Sequence, residues 1–502
     1  MGIPLYYKNI INDYPEIIHT SLNFKKKINN LFFDLNCAIH PCCANKINEK
    51  DMFNAILEKI KECISLTNVT DLIYIAIDGP CPRTKMEQQR QRRLKSSQEY
   101  KIWDTNQITP GTRFMDSLNQ FLKKSIKDFK IKTILSDSNE AGEGEHKIMH
   151  YLDKNIKHTD TNIVYGLDAD LIMLSMIRCH NVFLLRERTE YNLENINEPY
   201  IYLDICLLKE HVINKIKEPS IKYTITDKTI LNDYLFICFL IGNDFILNTP
   251  CINIRYNGLE YITKIYCNLQ KDFFGDFYLT QNQEINLLNL RRFIKEISKQ
   301  EETIIKTILK KRGNQQNRNT IKFNEYLEKI KSIDDISNHT YQDFDSQDDL
   351  AFTTFKHFSP TIFRDIENII FNKNYNIKYY TYNIYNTLDY NPSFNQILEK
   401  DIQNICQEYF KAIQWTFNYY FKSCISWRWY YKYHFAPLMI DFNKYLSNAN
   451  FNSFDKDKPN TPKEQLKIVL PLQNNSYLYP KKTPLYSLFK SYYWECHPIL
   501  PH

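Results

Sequence analysis

Three short apolar runs in this chain end in aspartate. Leu31-Phe32-Phe33 leads into Asp34, Ile75-Ala76-Ile77 into Asp78, and Ile163-Val164-Tyr165-Gly166-Leu167 into Asp168, with Asp170 close behind. Apolar runs of this length, bounded by polar residues, read as strands. In an open parallel sheet the carboxyl ends of the strands form the ligand crevice, so these strands would deliver their acids into one pocket. A fourth run, Ile131–Leu135, leads to Glu140-Ala141-Gly142-Glu143-Gly144-Glu145-His146, whose glycines let the backbone turn so that Glu143 and Glu145 reach the same place. Asp244, in Gly242-Asn243-Asp244-Phe245, directly follows the apolar helical stretch Tyr234–Ile241.

Asp34, Asp78, Glu143, Glu145, Asp168, Asp170 and Asp244 are therefore the candidate catalytic and metal-ligating set. Two carboxylates about 4 Å apart repel by roughly 1 kcal/mol in water and roughly 4 kcal/mol at an effective dielectric of about 20. A group of seven would be protonated or would hold cations. Hard oxygen ligands without a matching His/Cys set favour Mg²⁺ or Mn²⁺ over zinc. Two such ions side by side can clamp both oxygens of an in-line phosphoryl transfer. Any one of these acids alone reads as a turn or helix cap. Four strand ends together read as a metal site.

A basic helix adjoins them. Asp78-Gly79-Pro80 is followed by a stretch from Arg83 to Lys101 with seven Lys/Arg against two Glu. At 3.6 residues per turn, Lys85, Gln89 and Arg92/Arg93 share one face. Positive and amide donors at the rim of an acidic metal site suit a terminal phosphate. A solvated basic face or a localisation signal is the plainer reading, and adjacency to Asp78 argues against it.

The elements that must position these residues alternate. Helical patterns such as Asp51–Leu66 and Thr112–Phe129 lie between the apolar runs, which also include Val182–Leu185. The expected fold is α/β, a mainly parallel central sheet flanked by helices, spanning residues 1–300. Residues 301–350 are charged and Asn/Gln-rich and read as a linker or insertion. Residues 351–502 read as a second, mainly helical, aromatic-rich region, clearest at Asp401–Lys422.

Bulk composition adds bounds. The 502 residues are 43% hydrophobic, ample for a large core, and a net charge of +6 is too mild to mark a partner globally. Thirteen cysteines without a signal peptide read as free thiols in a cytoplasmic-type compartment. No apolar run approaches the roughly 20 residues that span a bilayer. Tyr6 stands where a myristoylation motif needs Ser or Thr. Heavy use of Asn, Ile, Lys and Tyr reads as the coding bias of an AT-rich genome, such as that of a large DNA virus or a protist.

The motifs together resemble the Xrn-type 5′→3′ exoribonucleases. The resemblance runs from Met1-Gly2-Ile3-Pro4, Tyr6-Tyr7 and Tyr14-Pro15 through Phe33-Asp34-Leu35-Asn36 with Ile39-His40, then Ile77-Asp78-Gly79 and Pro82–Met86 with Gln88–Arg93. It continues in order through Ile108–Thr112, Gly142–Ile148, Tyr165–Leu171 and Gly242–Phe245. In the second region it takes in Gln414-Trp415, Tyr419-Tyr420, Ser426–Tyr431 and Tyr433–Pro437.

The resemblance implies a nuclease core like that of PIN and flap enzymes. The seven acids would hold two Mg²⁺ ions. Lys85, Gln89, Arg92 and Arg93 would form a 5′-monophosphate pocket too small for a triphosphate or cap. His40 and Trp427 or Trp429 would stack on the leading base, a sequence-tolerant contact. The implied activity is 5′→3′ hydrolysis of single-stranded RNA to nucleoside 5′-monophosphates, in RNA decay, by a monomer. Direction and RNA preference come from the resemblance alone. Cys37, Ala38 and Asn9 depart from the family pattern without removing a proposed ligand. The chain stops near Trp494–Pro501, short of the long carboxyl-terminal extensions of eukaryotic members.

Other signals are set aside. Cys37, His40, Cys42 and Cys43 lack a zinc-ligand spacing. His146, Trp415, Tyr419, Tyr420 and His434 read as structural. The competing functions are a flap-type 5′ DNA nuclease, which shares the acidic chemistry, and a catalytically silent RNA-binding scaffold.

Overall fold

A computed structural model of the chain describes residues 3, 5–21, 27–97, 103–178, 181–188, 196–311, 314, 375–385, 395–447, 449–451 and 453–470. The expected linker lies outside these except at 301–311 and 314, as do Met1, Gly2, Pro4 and Trp494–Pro501.

Seven strands form one sheet: β1 (Ile18–His19), β2 (Asn30–Asp34), β3 (Leu72–Ala76), β4 (Lys132–Ser136), β5 (Thr161–Tyr165), β6 (Asn181–Glu187) and β7 (Tyr200–Asp204). Their order is β1-β7-β6-β5-β2-β3-β4. β6-β5-β2-β3-β4 are parallel, while β7 runs antiparallel to β6 and β1 antiparallel to β7. The sheet is thus mainly parallel, as its sequence implies, with an antiparallel edge that the apolar runs did not announce. The chain builds outward from β2 to β4, then returns to add β5 on the other side of β2. That reversal places the topological switch point between β2 and β5.

Helices cover both faces, as a parallel sheet requires. Alternate strand residues point to opposite sides. Leu31, Phe33, Ile73, Ile75, Ile163 and Tyr165 enter a core with α2 (Asn36–Cys43), α3 (Glu49–Thr67) and α5 (Arg113–Ser125). Phe32, Tyr74, Val164 and Leu184 enter the larger one, with α6 (Gly144–Asn155), α7 (Ala169–Ile177), α8 (Ile205–Ile216) and α9 (Asp227–Phe239). α3 shows why such helices form where they do. Asn48 caps it by accepting from Lys50 N–H, and Met52, Phe53, Ile56, Ile60 and Cys63 bury one face.

The aromatic helices join the larger core. α10 (Gly258–Asp272), α11 (Leu287–Ser298) and α12 (Tyr375–Tyr385) lead to the long α13 (Asn395–Phe421), followed by α14 (Met439–Leu446) and α15 (Pro462–Val469). α13 meets α9 through Phe236–Phe417 and Phe239–Tyr420 ring pairs, 5.8 and 4.6 Å between centroids. No helix of the described residues is long and apolar enough to cross a membrane.

Glu301 opens a helical stretch, 301–311, and is 1% exposed. Its carboxyl accepts from the N–H groups of Met439 and Ile440 at 2.6 and 2.9 Å, capping the start of α14. Burial lifts its pKa to about 7, against the pull of those donors. The folded state therefore keeps a proton that the unfolded chain releases at about pH 4.3. Its contribution to stability is full below that value and is lost as pH rises through about 7. Glu301→Gln is expected to flatten the fall in melting temperature between about pH 5 and pH 8, a difference on the order of 3 kcal/mol. Thermal melts across that range check it, and an unchanged slope would refute it.

Candidate metal centre and basic rim

Asp34 is the last residue of β2, level with Ala76 of β3, and so stands at the carboxyl edge of the sheet beside the switch point. Asp78 and Asp168 follow the ends of β3 and β5, and Glu143 and Glu145 lie at the start of α6. One oxygen each from Asp34, Asp78 and Glu145 fall within 4.8 Å of one another. Asp34 also feels the charge of Asp168, and Glu145 that of Glu143. Asp170 feels that of Asp244. All seven sequence-predicted acids are thus brought into one electrostatic neighbourhood.

The local backbone permits this crowding. Gly144 N–H donates to Asp78 Oδ1 at 2.7 Å, and a Cβ on Gly144 would come within 2.5 Å of Asp34 Oδ1. Only glycine lets the helix start approach both acids. Asn36 grips Asp78 from the other side, its Nδ2 donating to Oδ2 at 2.8 Å and its Oδ1 accepting from Asp78 N–H at 3.1 Å. Two buried cations pin the strand-end loops. Lys147 Nζ donates to the carbonyls of Ile77 and Asp137 at 2.7 and 2.8 Å. Arg186 donates to those of Gly166 and Leu167, just before Asp168.

Charge in this space is under strain. Burial, then Asp78 and Asp168, push the Asp34 carboxyl well above the usual range. Burial, then Glu143 and Asp34, do the same to Glu145. Asp170 is pushed up to about 6 by burial and Asp244. Burial would also raise Asp244, but Lys85 holds it at about 2. Asp34 Oδ1 is buried without a hydrogen-bond partner among the described residues. An unpaired buried acceptor beside two more carboxylates is a costly arrangement for a bare protein. This donor set fits a hard divalent cation, with all-oxygen ligands and no thiol or imidazole among them.

The basic helix α4 (Arg83–Ser97) starts beside Asp78, as expected. Lys85 does not stand in the open. It is 6% exposed, and its ammonium lies 2.6 Å from Asp244 Oδ2 and 2.7 Å from Glu143 Oε2. Gln88 Nε2 donates to Asp244 Oδ1. Gln89, one turn on from Lys85, is buried. Arg93 Nε donates to Thr109 Oγ1 at 2.9 Å, and its Nη2 to the Ile108 carbonyl at 3.4 Å. Burial, reinforced by Arg92, lowers the Arg93 pKa to about 10. Arg92 is exposed.

His40 lies exposed on α2, just after Asp34. Trp429 packs its ring on Trp415 and Phe454, with centroids 6.3 and 5.7 Å away. Trp427 is half-buried and firmly placed. Its N–H donates to Asp457 at 2.5 Å, and its carbonyl accepts from Arg83 N–H at 2.8 Å. Cys37 and Cys42 direct their thiols to the carbonyls of Asp34 and Ala55, and the described cysteines form no disulfide.

Sequence reasoning missed part of the site. Tyr419 and Tyr420, read as core, are buried but also functional in position: Tyr419 OH donates to Glu143 Oε1 at 2.8 Å, and Tyr420 OH to Asp170 Oδ1 at 2.6 Å. Successive residues on a helix point about 100° apart, so the pair reaches two different acids from one turn of α13. His146, between them, lies 3.8 Å from the Tyr419 ring centroid. Nothing local in an aromatic-rich helix separates a tyrosine that fills a core from one that also orients a carboxylate.

Comparison with known proteins agrees with the geometry. The family model described as "XRN 5'-3' exonuclease N-terminus" matches residues 1–103 and 94–188, and that described as "Xrn1 helical domain" matches residues 224–486. A 5'-3' exoribonuclease 2 of Gallus gallus is 27% identical over 96% of this chain and 64% of its own length. One of Arabidopsis thaliana is 25% identical over 94% of this chain and 61% of its own. The 5'-3' exoribonuclease 1 of Saccharomyces cerevisiae is 24% identical over 97% of this chain and 40% of its own. The chain therefore spans about two fifths to two thirds of the length of these relatives. Among solved structures, the catalytic core of Rad2 in complex with DNA substrate aligns over 59% of this chain and 81% of that one, with 12% identity and a TM-score of 0.34, too low to weigh.

Proposed function

The chain belongs to the XRN family of 5′→3′ exonucleases, and from that premise we propose that it is a Mg²⁺-dependent 5′→3′ exoribonuclease acting on single-stranded RNA that carries a 5′-monophosphate. The observation that carries this reading is the group of seven acids at the sheet's switch point, four of them buried, with Asp34 Oδ1 unpaired among the described residues, directly beside a basic helix. A binding scaffold has no use for such a costly cluster.

In this reading Asp34, Asp78 and Glu145 would hold one cation. Asp168 and Asp170 would serve a second, supported by Glu143 and Asp244, whose oxygens Tyr419, Gln88 and Lys85 already engage. Bound divalent ions supply Lewis-acid stabilisation to the phosphoryl and leaving oxygens. The chain's own groups do the positioning. Asn36 and Gly144 N–H aim Asp78, Tyr420 occupies one oxygen of Asp170, and Tyr419 and Lys85 take one oxygen each of Glu143. Lys85, Gln89, Arg92 and Arg93 take the 5′-phosphate, whose charge Lys85 would share with the two acids it already touches. His40 and Trp427 form the stacking surface for the leading base, since the Trp429 ring is engaged by Trp415 and Phe454. Residues 1–300 make the nuclease domain and 351–502 complete the RNA channel, with 301–350 as insertion.

The test is time-resolved digestion of matched RNA and DNA oligonucleotides. 5′-Monophosphate RNA is expected to shorten from its 5′ end in Mg²⁺ and to persist in EDTA, and the 5′-triphosphate form to be spared. Equal digestion of both 5′ ends would remove the phosphate pocket. Preference for a DNA flap would favour the alternative nuclease.

A further inference from the structure

α15 belongs to none of the motifs above, yet it lies against α4 in space. Its start is fixed by a capping box: Thr461 Oγ1 accepts from Glu464 N–H, and the Glu464 carboxylate accepts from Thr461 N–H. Gly111, at φ +90°, lets Pro462 sit against the Ile108–Thr112 turn, where a Cβ would come within 2.8 Å of the Pro462 carbonyl. That turn is the one Arg93 grips through Thr109 and Ile108. α4, the turn and α15 thus form one connected unit.

At its centre is Gln465, fully buried. Cys81 N–H donates to Gln465 Oε1 at 2.8 Å, and Gln465 Nε2 donates to Gln89 Oε1 at 3.2 Å. A backbone N–H can only donate, so the atom of Gln465 facing Cys81 must be its oxygen. The other end is then its NH₂, and the atom of Gln89 that meets it must be an acceptor. This leaves the NH₂ of Gln89 as the end offered to an incoming group. An amide free to turn either way presents an anion with a donor or with repelling lone pairs; here a chain of two hydrogen bonds from the backbone decides which.

We infer that Gln465 is a positioning residue for 5′-phosphate recognition, fixing the Gln89 side chain with its donor end toward the phosphate. The inference rests on the reading of Lys85, Gln89, Arg92 and Arg93 as the phosphate pocket. It makes a residue of the helical region a determinant of which 5′ end is accepted.

Gln465→Glu keeps an acceptor for Cys81 N–H but puts a second acceptor where the NH₂ stood. Gln89 must then turn its NH₂ to residue 465 and its carbonyl to the phosphate. Gln465→Met removes both hydrogen bonds and leaves Gln89 undirected. The readout is the ratio of kcat/KM on 5′-monophosphate RNA to that on 5′-hydroxyl RNA, with thermal melts to confirm folding. The ratio is expected to fall about tenfold in Gln465→Glu, chiefly through KM, and about threefold in Gln465→Met. A packing role alone would lower both rates together and leave the ratio unmoved. If either folded variant keeps the parent ratio while Gln89→Leu lowers it, the inference is overturned and the pocket stands. If the parent shows no preference, or Gln89→Leu does not change it, the pocket itself is wrong and the inference falls with it.

Discussion

Asp34→Asn is expected to lower turnover by at least about 10³-fold while the metal-free protein melts at a higher temperature. The two effects have one cause. Asp34 is 3% exposed, one of its oxygens has no hydrogen-bond partner among the described residues, and Asp78 and Asp168 add like charge to the penalty of burial. An amide of the same shape removes the charge that the bare protein tolerates poorly. It also removes the charge that a divalent ion would neutralise. An ion that binds only the folded state stabilises it by about 2.7 kcal/mol at a concentration about a hundredfold above its dissociation constant. The parent's melting temperature should therefore rise with added Mg²⁺, and that rise should shrink sharply in the variant. Activity assays and melts with Mg²⁺ and with EDTA measure both. A variant that keeps its turnover, or that melts lower than the parent in EDTA, would show that this cluster is not held in tension for a cation.

How far the site was legible follows from which interactions are local. Asp34, Asp78 and Asp168 could be found because an apolar strand running into an acid is written in consecutive residues, and the glycines around Glu143 and Glu145 mark a backbone that must bend. The same rule also has a counterexample in this chain. Tyr200-Ile201-Tyr202-Leu203 is an apolar strand that ends in Asp204, yet it runs antiparallel, with Asp204 paired to Phe183 near the start of β6. Its carboxyl end therefore lies at the opposite edge of the sheet, where Asp204 caps α8 by accepting from Leu207 N–H. Strand direction depends on how the chain returns, and no run of five residues encodes it. The parallel core was legible from strand and helix alternation; the antiparallel edge was not.

Contacts across long separations were invisible for a related reason. Tyr419 and Glu143 are 276 residues apart, and Gln465 and Gln89 are 376 apart. Composition places Tyr419 in a core, correctly, but a core tyrosine must still find a partner for its hydroxyl when buried. Here the partners are the acids of the metal centre. The helical region is thus more than a lid over the nuclease sheet, since two of its side chains share hydrogen bonds with the candidate ligands. That coupling also explains how α13 can be built almost wholly of apolar and aromatic residues on its buried face without an unsatisfied hydroxyl at Tyr419 or Tyr420.

Lys85→Met should be the most destabilising single change at this site in the absence of metal. The Lys85 ammonium bridges Asp244 and Glu143, all three nearly inaccessible to water. Burial works against its charge, but Asp244 and Glu143 outweigh that and hold its pKa well above the ordinary lysine value. Replacing it with an apolar chain of similar length preserves packing and strands two buried carboxylates. Gln88 and Tyr419 would still donate to them, yet neutral donors cannot replace a charge. Breaking one side of a buried ion pair costs about 3–5 kcal/mol, and a loss in that range is expected from urea denaturation in EDTA. Divalent cations should recover much of it, because a bound ion can neutralise the same pair of acids. Activity should not recover with stability: kcat/KM on 5′-monophosphate RNA should stay about 10²-fold down in saturating Mg²⁺, since Lys85 also serves the phosphate pocket. Lys85→Arg should not restore it, as a planar guanidinium cannot fit a cavity shaped for one compact ammonium between two carboxylates. Full activity in the Met variant would mean that Lys85 only balances charge. A variant as stable as the parent in EDTA would mean that the acids it touches are protonated in the bare protein.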